Sequence, residues 1–116
     1  KQAKASQVAQ NLNALKSAVE QYVYSEKDLP TSAASLVNYM SKIPSEYTIT
    51  PVSQNLSNGK GIFINGEATV VVAYAANDIP VGDINKQYSE ATKVEITISG
   101  SKTECPGISV QVRKWW

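Results

Sequence analysis

Histidine is absent from the 116 residues, and cysteine occurs once, as Cys105. Histidine is the commonest general base and metal ligand in proteins, so its absence removes most catalytic arrangements that the chain could otherwise build. One cysteine cannot form an internal disulfide, and a thiol without a neighbouring base is a poor nucleophile. We therefore expect no enzyme active site and no cofactor, and we expect Cys105 to be a non-catalytic thiol in a turn before Pro106.

The sequence also lacks an excess of one charge and a long apolar run. Eleven basic and ten acidic residues give a formal net charge of +1. Binding of nucleic acid or of an anionic membrane through charge alone is therefore not supported. No segment reaches the roughly 20 apolar residues of a membrane-spanning helix. The hydrophobic content of 42% suits one packed domain over residues 1–116.

A long helix is predicted over residues 1–26. Its apolar residues recur at helical spacing and share one face: Val8, Leu12, Leu15, Val19 and Val23. The opposite face is small and polar: Ser6, Gln10, Asn13 and Ser17. No residue from 5 to 15 is charged. Such a face suits close packing against another protein, and a merely Ser- and Gln-rich exposed helix is the equal alternative.

The segment 27–60 is predicted to hold a short helix and a loop. Pro30 stops the first helix, because proline cannot continue it and biases Leu29 away from helical geometry. A second helix is expected within 33–42, with an apolar side that consists of Leu36, Val37 and Met40 and with Ile43-Pro44 as its end. Residues 46–50 are a candidate strand that Pro51 would stop.

An antiparallel sheet of three or four strands is predicted within 61–116. Asn65-Gly66 is the favoured pair for a type I′ turn and would join strands near 61–64 and 67–75. Residues 93–99 and 108–114 alternate apolar and polar side chains, and would form a hairpin around a turn at 100–107. The segment 77–92 is expected to be irregular. Helices followed by strands indicate an α+β fold in which the long helix covers the sheet.

The apolar side chains of the last two strands are predicted to share the sheet face under the helix. These side chains are Val94, Ile96, Ile98, Ile108, Val110 and Val112. Their contact with the helical stripe would form the core of the domain.

Two loops and the C-terminus offer candidate binding groups. Asp78 and Asp83 share one loop, and their oxygens are the ligand type that Ca²⁺ prefers, but their spacing matches no EF-hand. The segment 57–61, "SNGKG", lacks the full phosphate-loop spacing and is a better turn before a strand. The end of the chain, "VRKWW", places Arg113 and Lys114 beside Trp115 and Trp116. These four residues could stack on sugars or bases, or the indoles could close the sheet edge over the core.

Two segments resemble the type IV pilin and type II secretion pseudopilin superfamily. Residues 17–32, "SAVEQYVYSEKDLPTS", match the end of the long pilin helix, with Tyr22, Tyr24, Leu29 and Pro30 in place. Residues 32–44, "SAASLVNYMSKIP", match the short helix that follows in the family. Cys105 has no partner for the C-terminal disulfide of many major pilins. The segment "IPSEYTI" also departs from the pseudopilin "IPxDPWG", so the pseudopilin calcium site is not carried over.

The resemblance implies a structural filament subunit, a major or minor pilin, or alternatively a secretion pseudopilin. The partners would be other pilins in a surface filament, assembled through the N-terminal helix. The helix-packing and assembly residues would be those of its apolar stripe: Val8, Leu12, Leu15, Val19 and Val23. Contact with the inner membrane would be made only before assembly, by an apolar half-helix upstream of Lys1. A glycan- or nucleic-acid-binding module that uses the C-terminal tryptophans is the alternative from a different class.

Overall fold

The computed structural model describes residues 2–40, 46–76, 78–98 and 100–116, and these form an α+β fold. The helices are α1 (Gln2–Glu26) and α2 (Val81–Asn85), and 3₁₀ turns cover Ala33–Leu36 and Ser53–Asn55. The strands are β1 (Tyr47–Pro51), β2 (Leu56–Ser57), β3 (Lys60–Gly61), β4 (Glu67–Tyr74), β5 (Thr92–Ile98) and β6 (Ser101–Arg113). The predicted long N-terminal helix and antiparallel sheet are thereby confirmed.

Four strands form the main sheet in the order β1-β4-β6-β5, and every neighbouring pair is antiparallel. The central strand β4 is flanked on both edges, and its residues from Val70 to Tyr74 are all buried. A strand that is covered on both faces is apolar throughout, as the sequence of β4 predicted. The small hairpin β2–β3 stands apart from this sheet.

Helix α1 lies on one face of the sheet, and its apolar stripe is buried in that contact. Val8, Leu12, Leu15, Val19 and Val23 are each at most 2% exposed. They form one cluster with side chains from β4 and β6: Val70, Val72, Ile108, Val110 and Val112. Removal of this apolar surface from water is the main favourable contribution to the stability of the two layers.

The prediction that Val94 and Ile96 also face the helix is wrong. They belong to a second buried cluster, with Val71, Ala73 and Cys105, on the opposite face of the sheet. Val94 is paired with Cys105, whereas Ile108 is paired with Val72. Alternate residues of a strand point to opposite faces, so residues 105 and 108 of β6 cannot share one. The side chain of Ile98 is outside the described part of the structure.

Strand β6 is 13 residues long and corrects the predicted turn at 100–107. Its first half, 101–107, pairs with β5, and its second half, 107–113, pairs with β4. The hairpin between β5 and β6 is therefore much tighter than predicted. Glycine, proline and cysteine made the first half of β6 resemble a turn, but pairing with β5 overrides these local preferences.

Gly107 marks the position where β6 changes partners, and the chain passes very close to its neighbours there. A Cβ at this position would lie 2.3 Å from the Val72 carbonyl oxygen and 2.7 Å from Val94 Cγ2. Both distances are shorter than any van der Waals contact. Only glycine therefore fits at residue 107, where Val72 of β4 and Val94 of β5 both come close to β6. This point lies on the sheet face opposite α1, which we call the outer face.

Both Asn-Gly pairs of the chain form left-handed turns. Asn58 and Gly59 have φ of 52° and 78°, and Asn65 and Gly66 have φ of 54° and 77°, as a type I′ turn requires. The predicted turn at 65–66 is confirmed. The strand predicted before it is reduced to one bridge between Ile64 and Glu67.

The side chain of Asn55 connects the segment around residue 62 to β4, where the sequence had predicted a strand. This side chain is buried, donates a hydrogen bond to the Ile62 carbonyl and accepts one from the Thr69 amide. These two bonds bring residue 62 close to β4, although 61–64 forms no continuous ladder with it.

Two further segments differ from expectation. The predicted helix within 33–42 is a 3₁₀ turn over Ala33–Leu36, in which Leu36 is buried but Val37 is 66% exposed. Residues 41–45, including Ile43-Pro44, are outside the described part. The segment 77–92, expected to be irregular, contains α2, whose Ile84 joins the core beside α1. The strand predicted at 46–50 is confirmed as β1, which includes Pro51 and joins the main sheet, so the sheet also draws on the region 27–60.

We predict that Gly107→Ala lowers the free energy of unfolding by about 1–3 kcal/mol, because its new Cβ overlaps the Val72 carbonyl and Val94. Gly82→Ala is the matched control, since a Cβ at residue 82 meets no described heavy atom within 4 Å. Gly82 lies inside α2, so this control should be neutral or stabilising by up to about 1 kcal/mol. Urea denaturation measures both. Equal stability of the two variants would contradict the close approach at Gly107.

Candidate functional site

The C-terminal end of α1 and the C-terminus of the chain meet in an exposed aromatic cluster. We call this surface the aromatic end and define it by Tyr24, Phe63, Trp115 and Trp116. Trp115 is 60% exposed and Trp116 is 37% exposed, and neither belongs to the buried core clusters. Trp116 meets Phe63, which packs against the larger core cluster, so the alternative in which an indole closes over the core applies in part to Trp116 and not to Trp115.

Three contacts fix the orientation of the two indoles. The Lys114 amide donates to the Gly66 carbonyl at 2.7 Å, which ties the chain after β6 to the Asn65-Gly66 turn. Trp115 Nε1 donates to the Tyr24 carbonyl at the end of α1, at 3.1 Å. The Trp116 ring meets Phe63 edge to face, with centroids 5.4 Å apart. The aromatic end is thus joined to α1, to the turn and to β6.

Cationic side chains accompany the rings of the aromatic end. Lys27 Nζ lies 5.3 Å from the ring centroid of Trp115, and Lys114 Nζ lies 5.8 Å from that of Trp116. Both separations are within cation–π range. Arg113 Nε pairs with Glu67 Oε2 at 3.3 Å. The ammonium groups of Lys27 and Lys114 therefore contact the indole rings, whereas the guanidinium of Arg113 is paired with a carboxylate.

Lys27 has a left-handed backbone, with φ of 57°. Its amide donates to the Val23 carbonyl and closes the last turn of α1. Glycine is the usual residue at such a helix end, because a side chain makes the left-handed region unfavourable. The chain instead has a lysine here, and its side chain reaches the Trp115 ring.

Two grooves meet at Tyr24 and Arg113, and one of them borders Trp115. One, of about 410 Å³, lies between Tyr24, Arg113 and Trp115. The other, of about 380 Å³, shares Tyr24 and Arg113 with it and continues along the ends of β4 and β6. Its further lining includes polar side chains: Glu67, Thr69 and Gln111. The exposed rings therefore border on a surface that contains both hydrogen-bond donors and acceptors.

The structure brings together all four residues of the predicted ligand surface, namely Arg113, Lys114, Trp115 and Trp116. Sequence reasoning missed Phe63 and the adjacent Lys27, and it noted Tyr24 only for its resemblance to the pilin helix. These residues lie about 50 to 90 positions before the tryptophans in the chain, so no local pattern connects them to "VRKWW".

The second candidate surface is the side of α1 that faces away from the sheet. Gln10, Asn13 and Ser17 are exposed and Ser6 is half-buried. Ser6, Gln10 and Asn13 also line a groove of about 260 Å³ between α1 and the segment that follows α2, which contributes Gln87 and Tyr88. The side of α1 that is open to another protein is this opposite one, because the stripe predicted for assembly is buried under the chain's own sheet: Val8, Leu12, Leu15, Val19 and Val23.

Asp78 is engaged inside the chain, which weakens the candidate cation site at Asp78 and Asp83. Its Oδ2 accepts from Lys4 at 2.8 Å and its Oδ1 accepts from the Tyr74 hydroxyl at 2.6 Å. The hydrogen bond from Lys4, followed by that from Tyr74, holds the pKa of Asp78 below its usual value. Within residues 2–40, 46–76, 78–98 and 100–116, no three His, Cys, Asp or Glu side chains are grouped to hold a metal ion.

Cys105 is 1% exposed and lies in the second apolar cluster, paired across the sheet with Val94. Burial raises the pKa of its thiol, which disfavours the reactive thiolate. Cys105 lies in strand β6 and not in the predicted turn. That its thiol is non-catalytic stays a prediction, which its burial supports.

Comparisons of the chain with protein-family models, with curated proteins and with solved structures find no match. Among the described helices, none has the length and apolar character to cross a membrane.

We predict that a thiol reagent labels Cys105 at least an order of magnitude more slowly in the native protein than in denaturant, because both burial and the raised pKa oppose reaction. Labelling with a chromogenic disulfide reagent measures both rates, since the chain has one cysteine. Rapid native labelling would show that the outer sheet face opens readily.

The pH dependence of Asp78 provides a further prediction. Because its pKa is lowered in the folded state, its ionised form stabilises the fold above the unfolded pKa of about 3.9, and this contribution is lost as pH falls through the lower folded pKa. Asp78→Asn should therefore lower the melting temperature slightly at pH 7, and the difference should shrink below about pH 4. In a Lys4→Met background the same substitution should have a smaller effect. A pH-independent difference would contradict the assignment.

Proposed function

We propose that the chain is the headpiece of a structural subunit, a pilin, in a type IV pilus-like filament. One observation carries the proposal: α1 buries its apolar side under its own sheet and exposes a side without charge. The fold order of long helix, short 3₁₀ turn and antiparallel sheet is compatible with the pilin arrangement. In this role the chain is not an enzyme, and it acts at the cell surface by packing against other pilins.

The dimensions of α1 support a role as a shared spine. Its 25 residues give a length of about 38 Å at the usual helical rise, and the whole chain extends 42 × 30 × 22 Å. The helix is therefore nearly as long as the molecule itself. An element of this length can contact several neighbouring copies in a stack of subunits.

The chemistry of the exposed side supports burial between subunits. A helix face that only meets water usually carries Lys and Glu, whereas residues 5–15 contain neither. Small uncharged side chains such as Ser6 and Ser17 let two helices approach closely. They also avoid the cost of removing unpaired charges from water.

A secretion pseudopilin is the alternative within the same superfamily, and the same helix geometry supports it. The two roles differ in the filament to which the subunit belongs. A binding module is the alternative from another class, and its specific support is the aromatic end.

Assembly in the source cells tests the proposal. The wild-type chain should be found in filaments sheared from the cell surface, detected by immunogold electron microscopy with antibodies to this chain. The double substitution Gln10→Lys, Asn13→Lys should abolish these filaments, because it buries two unpaired ammonium groups between helices. Both residues are exposed in the isolated chain, so its melting temperature should hardly change.

The matched control places two lysines elsewhere, through Gln54→Lys and Ser57→Lys, which are exposed positions outside α1. Filament number should then equal that of the wild type. Absence of the wild-type chain from surface filaments, or normal assembly of the Gln10→Lys, Asn13→Lys variant, would refute the proposal.

A further inference from the structure

We propose that the aromatic end is a binding platform for a neutral glycan whose pyranose rings carry equatorial substituents. The proposal uses only contacts within one chain and does not depend on the filament role. Trp115 would be the principal stacking surface, and the groove beside it, lined by Glu67, Thr69, Gln111 and Arg113, would accept the neighbouring sugar hydroxyls.

Exposed apolar side chains are concentrated at this end of the molecule. Among the described residues, six large hydrophobic side chains are exposed. Five of them lie in the segments that meet here: Tyr24, Ile62, Ile64, Trp115 and Trp116. Exposed apolar side chains scattered singly need no explanation, whereas a concentration of them marks an interaction site.

The two indoles are held in place although they are largely in water. Trp115 gives its N–H to the Tyr24 carbonyl, and Lys27 adopts an unfavourable backbone conformation in a position that places its ammonium near the same ring. Unfavourable backbone conformations concentrate at functional sites. A ring that is already oriented loses little conformational freedom when a ligand binds.

The geometry of the rings suits a stacked sugar. The Trp115 and Trp116 planes meet at 82° with centroids 5.9 Å apart, so they form an open corner and not a slot for a planar base. A pyranose with equatorial substituents presents axial C–H bonds on its faces, and these bonds point at the electron-rich face of an indole. One ring can therefore stack on Trp115 while its edge contacts Trp116.

The charges of the surface favour a neutral ligand over a nucleic acid. Arg113 is paired with Glu67, and the ammonium groups of Lys27 and Lys114 lie over the two indole rings. Binding of nucleic acid draws its affinity from cations that neutralise phosphates, and here each of these three cations already contacts a carboxylate or a ring of the chain. Sugar hydroxyls both donate and accept hydrogen bonds, and the groove offers Arg113 and Gln111 as donors and Glu67 as an acceptor.

The experiment titrates the purified chain with cellohexaose, chitohexaose and β-1,4-mannohexaose by isothermal titration calorimetry. Both tryptophans of the chain are at the aromatic end, so their fluorescence reports directly on this surface. We expect saturable binding of at least one hexasaccharide with a change in indole emission, and an affinity that hardly depends on salt. Trp115→Ala should weaken that affinity at least tenfold.

Two variants separate stacking from folding. Trp115→Phe keeps an aromatic face without the indole N–H, and it should retain more affinity than Trp115→Ala. Val37→Ala changes an exposed apolar residue outside the aromatic end, and it should bind as the wild type does. Thermal melting of each variant shows whether the fold is intact.

Three outcomes would overturn the proposal. The first is the absence of binding to all three hexasaccharides at millimolar concentration. The second is unchanged binding by folded Trp115→Ala, or binding by folded Trp115→Phe that is no stronger than binding by Trp115→Ala. The third is binding of the oligonucleotide dT20 in place of the sugars, with an affinity that falls steeply as salt is added. The filament experiment is unaffected by any of them, because it changes other residues and measures assembly.

Discussion

Contact between α1 and the face formed by β4 and the second half of β6 determines the rest of the structure. The helix stripe and the facing valines and isoleucine are almost completely removed from water. A single helix covers only part of a four-stranded sheet, so β5 and the first half of β6 need another way to bury their apolar residues. They place Val94 and Ile96 against Val71 on the opposite face, and Gly107 permits the close approach that this requires.

Sequence periodicity predicted the elements that depend on neighbours along the chain. The stripe of α1, the apolar strand β4 and the left-handed Asn65-Gly66 turn each follow from local spacing or from a preferred backbone conformation. That Ile108, Val110 and Val112 face the helix was also predicted correctly, because successive side chains of a strand point to opposite faces of the sheet.

The errors arise where pairing between distant segments decides the structure. The side on which Val94 lies depends on its pairing with Cys105, and a shift of one residue would reverse it. The strand character of 101–107 likewise comes from β5. For the candidate site, "VRKWW" identified the tryptophans and their basic neighbours, but Lys27 and Phe63 join them only through the tertiary fold.

The two candidate surfaces use different parts of the same helix. The uncharged side lies within the first 17 residues of α1, whereas the aromatic end begins at Tyr24, roughly 10 Å further along the axis at the usual helical rise. Packing between subunits over the first part would therefore leave the indoles at the far end uncovered. A repeating filament would then present the same shallow glycan platform many times, and multivalent contact compensates for weak individual sites through a high effective concentration.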